Sequence, residues 1–171
     1  MSPGAQAVVV MGVSGSGKST LARALAAERG WRYLDADDFH SAAARAWMAS
    51  GRPLTDAMRT PWVAALAAEL LARHAAGESV VLAFSGLRRA HRDQLRAAGV
   101  PLRFLFLQGD RDVIAARMRG RDAHFMPVAL LDSQFEALQD PRGESDVDTL
   151  DLDADFAQVL ACALAACDGN D

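Results

Sequence analysis

The sequence predicts an α/β fold: a three-layer structure with a parallel sheet of about five strands and helices on both faces. Three observations carry that expectation. Short apolar runs alternate with longer amphipathic stretches along the whole chain, the pattern of repeated strand–helix units. Two of the short runs, Ala7–Met11 (AVVVM) and Val80–Phe84 (VVLAF), are apolar at every position, as strands of a parallel sheet covered on both faces must be. The chain has 171 residues, 51% hydrophobic and 23% charged. That suffices for a single domain spanning 1–171 and does not suit a disordered chain.

The elements follow in order. Ala7–Met11 is the first strand, and Lys18–Arg29 a helix with Leu21 and Leu25 on one face. Trp31–Leu34 is a short strand that runs into Asp35, Asp37 and Asp38, and Asp38–Ser50 reads as one helix closed by Gly51. Pro61 suits the first position of the next helix, with Thr60 as its cap and Gly77 as its stop. Val80–Phe84 is a strand and Arg88–Ala98 a helix ended by Gly99. Leu102–Leu107 is a strand, followed by a helix from Asp110 to Arg119. A polar stretch from Arg119 to Pro127 has the size of a lid, and Val128–Leu138 is helical. Val147–Leu152 is the last strand, and Asp153 is placed to cap the closing helix Phe156–Ala166.

Charge and composition exclude several function classes. Eighteen basic residues stand against 22 acidic ones, a net of −4, so there is no electrostatic footprint for nucleic acid. No apolar run approaches the roughly 18–20 residues of a membrane span, and no secretory leader is visible. Cys162 and Cys167 lie five apart, which fits neither a redox pair nor a zinc site, so both are expected as free, buried thiols. A cytoplasmic location is the expectation that follows. Lys18 is the only lysine of the chain.

Chemistry enters at Gly12-Val-Ser-Gly-Ser-Gly-Lys18-Ser19, which fits G-x-x-x-x-G-K-[ST] between a strand and a helix. Gly12, Gly15 and Gly17 allow backbone N–H groups to turn inward around an anion, with Ser14, Ser16 and Thr20 in the same cradle. The helix that follows adds its positive end. Lys18 is expected at the β- and γ-phosphates of ATP, and the Ser19 hydroxyl at Mg²⁺. The guanine-reading N-K-x-D motif cannot occur, because the one asparagine is Asn170 and the one lysine is in the loop. Kinases of small metabolites and nucleosides remain.

The acceptor side is Asp35-Ala-Asp37-Asp38-Phe-His40, which follows the second strand and so stands at the same end of the sheet. A D-x-D run there suits one carboxylate near the metal and one near the acceptor hydroxyl, where it orients the nucleophile and takes its proton. Asp37 is the expected base and, with Ser19, the expected metal ligand.

Taken together, MGVSGSGKST at 11–20, GWRYLDADDFH at 30–40, GRPLTDAMRTPW at 51–62, FSGLRRAHRDQLR at 84–96 and HFMPVALLDSQFEALQDP at 124–141 resemble the gluconate kinase (gluconokinase) family. The resemblance implies a P-loop kinase fold with a mobile lid, a substrate-binding segment near 38–62 and a lid near 119–131. It implies ATP-dependent phosphorylation of the 6-hydroxyl of D-gluconate, with Mg²⁺, and commonly a homodimer. It places Asp35, His40, Arg59, Ser85, Arg88, His124 and Gln134 on the substrate, Arg117 on adenine and Arg121 on the transferring phosphoryl group. Two readings stand beside it: a kinase for another sugar acid or polyol, and a non-catalytic nucleotide-binding module. The chain departs from the family pattern at Ser41, Ala44, Trp47 and Asp122. If the family's residues at those positions touch substrate, the pocket here is less cationic and more aromatic.

Overall fold

A computed structural model describes residues 4–120 and 128–168. Five strands form one sheet: β1 (Ala7–Met11), β2 (Arg32–Asp35), β3 (Val80–Ala83), β4 (Leu102–Gln108) and β5 (Val147–Asp151). Their spatial order is β2-β3-β1-β4-β5, and every pairing is parallel. The central strand β1 sets Ala7 against Val80 on one side and against Leu102 on the other.

Helices cover both faces. On one, Val8 and Val10 of β1 pack with Leu21 and Leu25 of α1 (Lys18–Arg29) and with Val159 and Ala163 of α7 (Phe156–Asp168). On the other, Val9 and Met11 pack with Trp62, Val63 and Leu66 of α3 (Asp56–Ala75) and Leu95 of α4 (Arg89–Arg96). The alternation along β1 thus feeds two cores, and all five of its residues are buried. α2 (Ala42–Ala49), α5 (Arg111–Gly120) and α6 (Val128–Ala137) complete the described helices.

The structure corrects four local expectations. Asp38–Ser50 is two pieces. The Asp35 carboxylate accepts from the Asp37 N–H at 2.9 Å and opens a 3₁₀ turn over Ala36–Phe39. His40 is extended, and Ser41 starts α2 by accepting from the Ala44 N–H at 3.1 Å. The long helix begins at Asp56, not at Pro61. Thr55 is its cap, accepting from the Met58 N–H at 3.2 Å, and Pro61 is accommodated inside the helix. Asp155, not Asp153, caps α7, accepting from the Gln158 N–H at 2.9 Å. Both cysteines are free, but only Cys167 is buried; Cys162 lies on the outer face of α7.

Candidate active site

Three loops meet over the carboxyl ends of three neighbouring strands. The glycine-rich loop follows β1, the acidic turn follows β2, and Ser85–Arg88 follow β3, the strand between them. The Gly12 N–H donates to the Ser85 carbonyl at 3.2 Å, so the first and third loops are stitched together.

The glycine-rich loop is shaped for close backbone approach. Gly12 has φ +152°, and a Cβ there would lie 2.9 Å from Ser16 Oγ and 3.0 Å from the Leu107 carbonyl oxygen. Gly15 and Gly17 are also left-handed, at +80° and +91°, and Gly17 opens α1 without a side-chain cap. Ser16 is buried, and its hydroxyl has no partner among the described residues. The Lys18 ammonium donates to the Val13 carbonyl at 3.0 Å. Enclosure of that ammonium lowers its pKa to about 8, opposed by the charges of Asp37 and Asp35. Burial raises the pKa of the neighbouring Tyr33 phenol, with the Ser19 hydroxyl opposing and the Asp35 charge adding. Tyr33 donates to Asp35 at 3.2 Å. Tyr33 is the only tyrosine of the chain. It shares a strand face with Asp35 two residues on, the one sequence signal that could have flagged it. Thr20 is exposed on the first turn of α1.

On the acceptor side, Asp35 holds the turn and Asp37 is open, its side chain 84% exposed. His40 Nε2 is 3.7 Å from the Asp37 carboxylate, and its ring stacks on Trp62 at 4.2 Å. The indole N–H of Trp62 donates to the Ala36 carbonyl at 2.7 Å, which fixes stack and turn together. Burial holds the His40 pKa below its ordinary value, with the Asp37 charge opposing and Arg45 and Arg59 assisting. His40 Nδ1 is buried without a partner among the described residues. Arg45 donates to the backbone carbonyls of Asp37 and His40, at 3.1 and 3.4 Å.

Arg59 lies one turn into α3 and pairs with Asp56 at 3.1 Å. So exposed a pair contributes roughly 0–1 kcal/mol, and an incoming anion displaces it readily. Arg88 is half-buried, and its Nε is buried with no hydrogen-bond partner among the described residues. A buried guanidinium N–H without a partner is costly and suits an anionic ligand. Arg59 and Arg88 both act on His91, buried in the first turn of α4, and lower its pKa further than burial alone. Sequence reading gave no role to His91, Trp62 or Arg45: Trp62 closes the 51–62 motif but reaches Ala36 across 26 positions once α3 packs over the turn after β2, His91 lies in α4, and Arg45 acts through two nearby backbone carbonyls that no residue pattern marks.

Gln134 is placed on the phosphate loop. Its carbonyl accepts from the Ser14 N–H at 2.6 Å, and its amide donates to Ser14 Oγ at 3.0 Å. The Arg117 side chain, Arg121 and His124 lie outside the described residues, as does Asp122. Trp47 anchors a turn: its indole donates to the Pro53 carbonyl at 2.9 Å, and Arg52 sits 3.6 Å over its ring. A cavity of about 310 Å³ opens at the end of β4 between α5 and α6. It shares only Val13 with the loops above; Leu107, Ile114 and Phe135 line it, with Asp110 and Asp140 at the rim.

A family profile described as an AAA domain matches residues 8–142. A curated protein of Mus musculus, named as a probable gluconokinase, is 39% identical over 93% of this chain and 96% of its own length. The thermosensitive gluconokinase of Escherichia coli (strain K12) is 40% identical, covering 90% of this chain and 83% of its own. Among solved structures, a gluconokinase from Sinorhizobium meliloti 1021 superposes with a TM-score of 0.85 at 42% identity, covering 94% of this chain and 90% of its own.

Proposed function

The chain belongs to the gluconokinase family, and from that premise we propose that it transfers the γ-phosphate of ATP to the 6-hydroxyl of D-gluconate, giving 6-phospho-D-gluconate and ADP. One observation carries the reading. The glycine-rich loop with Lys18 and the acidic turn with Asp35 and Asp37 follow β1 and β2, parallel strands separated only by β3, so the cation and the carboxylates stand at the same end of the sheet.

At that end of the sheet the roles divide by chemistry. The loop amides and Lys18 bind the ATP phosphates, and Lys18 balances charge on the moving phosphoryl group. Asp37, open to approach, orients the acceptor hydroxyl and takes its proton as the new O–P bond forms and the β–γ bridge breaks. Arg59 and the unpartnered edge of Arg88 receive the gluconate carboxylate. Neutral His40, Asp35 and Ser85 are suited to the sugar hydroxyls. Gln134 acts through Ser14. Arg117 on adenine, with Arg121 and His124 closing from a lid over 119–131, complete the reading on residue identity. The Ser19 hydroxyl and the Asp37 carboxylate are hard oxygen donors that fit Mg²⁺, which when bound neutralises phosphate charge. The described residues hold no cluster of three or more His, Cys, Asp or Glu for a metal, so phosphate oxygens and water would supply the remaining ligands. A homodimer and a cytoplasmic site of action belong to the same reading and rest on the resemblance.

The deciding experiment is ADP release over a panel of sugar acids and polyols, gluconate first. Asp37→Asn is expected to keep ATP binding while kcat falls at least ~10²-fold, the scale of a lost general base. An Asp37→Asn enzyme with near-normal kcat removes Asp37 from that role.

A further inference from the structure

Arg92 is the one arginine among the described residues that is fully buried, at 0% exposure. It does not face the site, yet all five of its N–H donors are engaged. Nε donates to Glu144 at 3.1 Å, and Nη2 donates to Glu144 at 2.6 Å and to the Gln139 carbonyl at 3.0 Å. Nη1 donates to the Gly86 carbonyl at 2.7 Å and the Leu87 carbonyl at 3.3 Å. Those two carbonyls belong to the residues between Ser85 and Arg88. We infer that Arg92, braced by Glu144, is a positioning residue that sets the loop carrying Ser85 and Arg88, and thereby the reception of the acceptor's carboxylate. This rests on the gluconate reading above.

Burying a guanidinium is unfavourable unless it is paired and fully hydrogen-bonded, and an apolar side chain of similar size fills such a space at less cost. A saturated fork in that position therefore suits a geometric role. The loop it grips has no regular structure of its own. Gly86 is left-handed at φ +61°, and a Cβ there would lie 3.3 Å from Met11 Cβ, so the loop presses on the end of β1 from above. Arg92 holds the Gly86 and Leu87 carbonyls of the same loop. Two further bonds tie the loop to the segment after α6: the Gln139 N–H donates to the Leu87 carbonyl at 2.8 Å, and the Arg89 N–H donates to the Gln139 side chain at 2.6 Å. Arg88, next in the chain, then presents a buried Nε that nothing described satisfies. A rigid support beneath an unsatisfied donor is the arrangement of a preorganised anion contact.

Arg96 provides the control. It bonds Glu144, Asp146 and Asp93 in the same ion cluster but touches neither loop carbonyl. The test compares KM for gluconate, KM for ATP and Tm in wild type, Arg92→Lys, Glu144→Gln and Arg96→Gln. A lysine keeps the charge and loses the fork. Arg92→Lys is expected to raise the gluconate KM at least ~10-fold with the ATP KM within ~2-fold, because the carbonyls it releases are those of Gly86 and Leu87, while the Ser85 carbonyl keeps its bond to Gly12. Glu144→Gln is expected to do the same to a smaller extent, at least ~3-fold, and it decides the matter if Arg92→Lys does not fold. Arg96→Gln is expected to lower Tm with both KM values unchanged. Three results overturn the inference: an unchanged gluconate KM in the folded Arg92 or Glu144 variants, an ATP KM that rises in parallel, or an equal acceptor defect in Arg96→Gln. A wild-type enzyme that releases ADP with another acid of the panel and not with gluconate overturns the substrate reading instead, and the same comparison is then made with that acid.

Discussion

Lys18 carries two opposed demands. Its ammonium must be charged to hold phosphates, and its enclosure disfavours the charge, so its pKa is lowered to about 8. Bound phosphate favours the protonated form, so binding takes up a proton wherever the free loop has lost it. The sign follows: affinity for ATP is fully present below pH 8 and declines as pH rises through it, by up to about tenfold per unit. Titration of ATP by calorimetry between pH 7 and 9.5 reads this, and equal affinities at pH 7 and 9 would show that Lys18 does not titrate there. Lys18→Met removes the dependence along with most of the binding. Trp47 is a structural residue. As a letter it suggests an aromatic lining for the acceptor pocket; in place, its indole N–H and ring face are engaged by the Pro53 carbonyl and Arg52.

Among the elements, α3 has the most to say about caps. Thr55 starts the helix through its bond to the Met58 N–H, whereas Thr60 Oγ1 donates back to the Asp56 carbonyl from within. Thr55→Ala is expected to cost about 1 kcal/mol in chemical denaturation and Thr60→Ala a few tenths at most. A larger loss at Thr60 would return the cap to Pro61's neighbour. Local signals made β1, α1 and the loop between them legible, because strand, glycines, lysine and helix are contiguous and each constrains the next. The place of the acidic run after β2 was legible in the same way, but not its 3₁₀ shape, which the Asp35 carboxylate sets through the Asp37 N–H. What local signals cannot carry is a side chain that acts across the fold. Gln134 reaches Ser14 over 120 positions, and Arg92 reaches Glu144 over 52. Neither spacing has a sequence pattern. The cap of α3 misled for a related reason: proline at a first helical position is only a preference, and Thr55-Asp56 supplied a stronger start one and a half turns earlier.

At the scale of the whole molecule, the acceptor end is assembled around two buried histidines. Burial lowers the pKa of both His40 and His91, with Arg59 adding to the effect at each. A histidine held below its ordinary value is protonated more easily in the unfolded chain, so stability is lost as pH falls through about 6.5, the unfolded value. Tm is therefore expected to drop between pH 7 and 5.5, and His91→Phe to flatten that decline; a Tm independent of pH over this range would contradict it. The strand order has a different consequence, in time. β1 is the centre of the sheet, yet its first partner is β3, and Ala7 waits for Val80. During synthesis at roughly 5–20 residues per second, that interval is on the order of 4–15 seconds. Throughout it, an uncharged, proline-free AVVVM segment has no neighbour to pair with. Such a segment is a template for pairing with other chains, so warm, high-level overexpression is where this protein should be lost to aggregates, and slower elongation lengthens the exposure instead of relieving it.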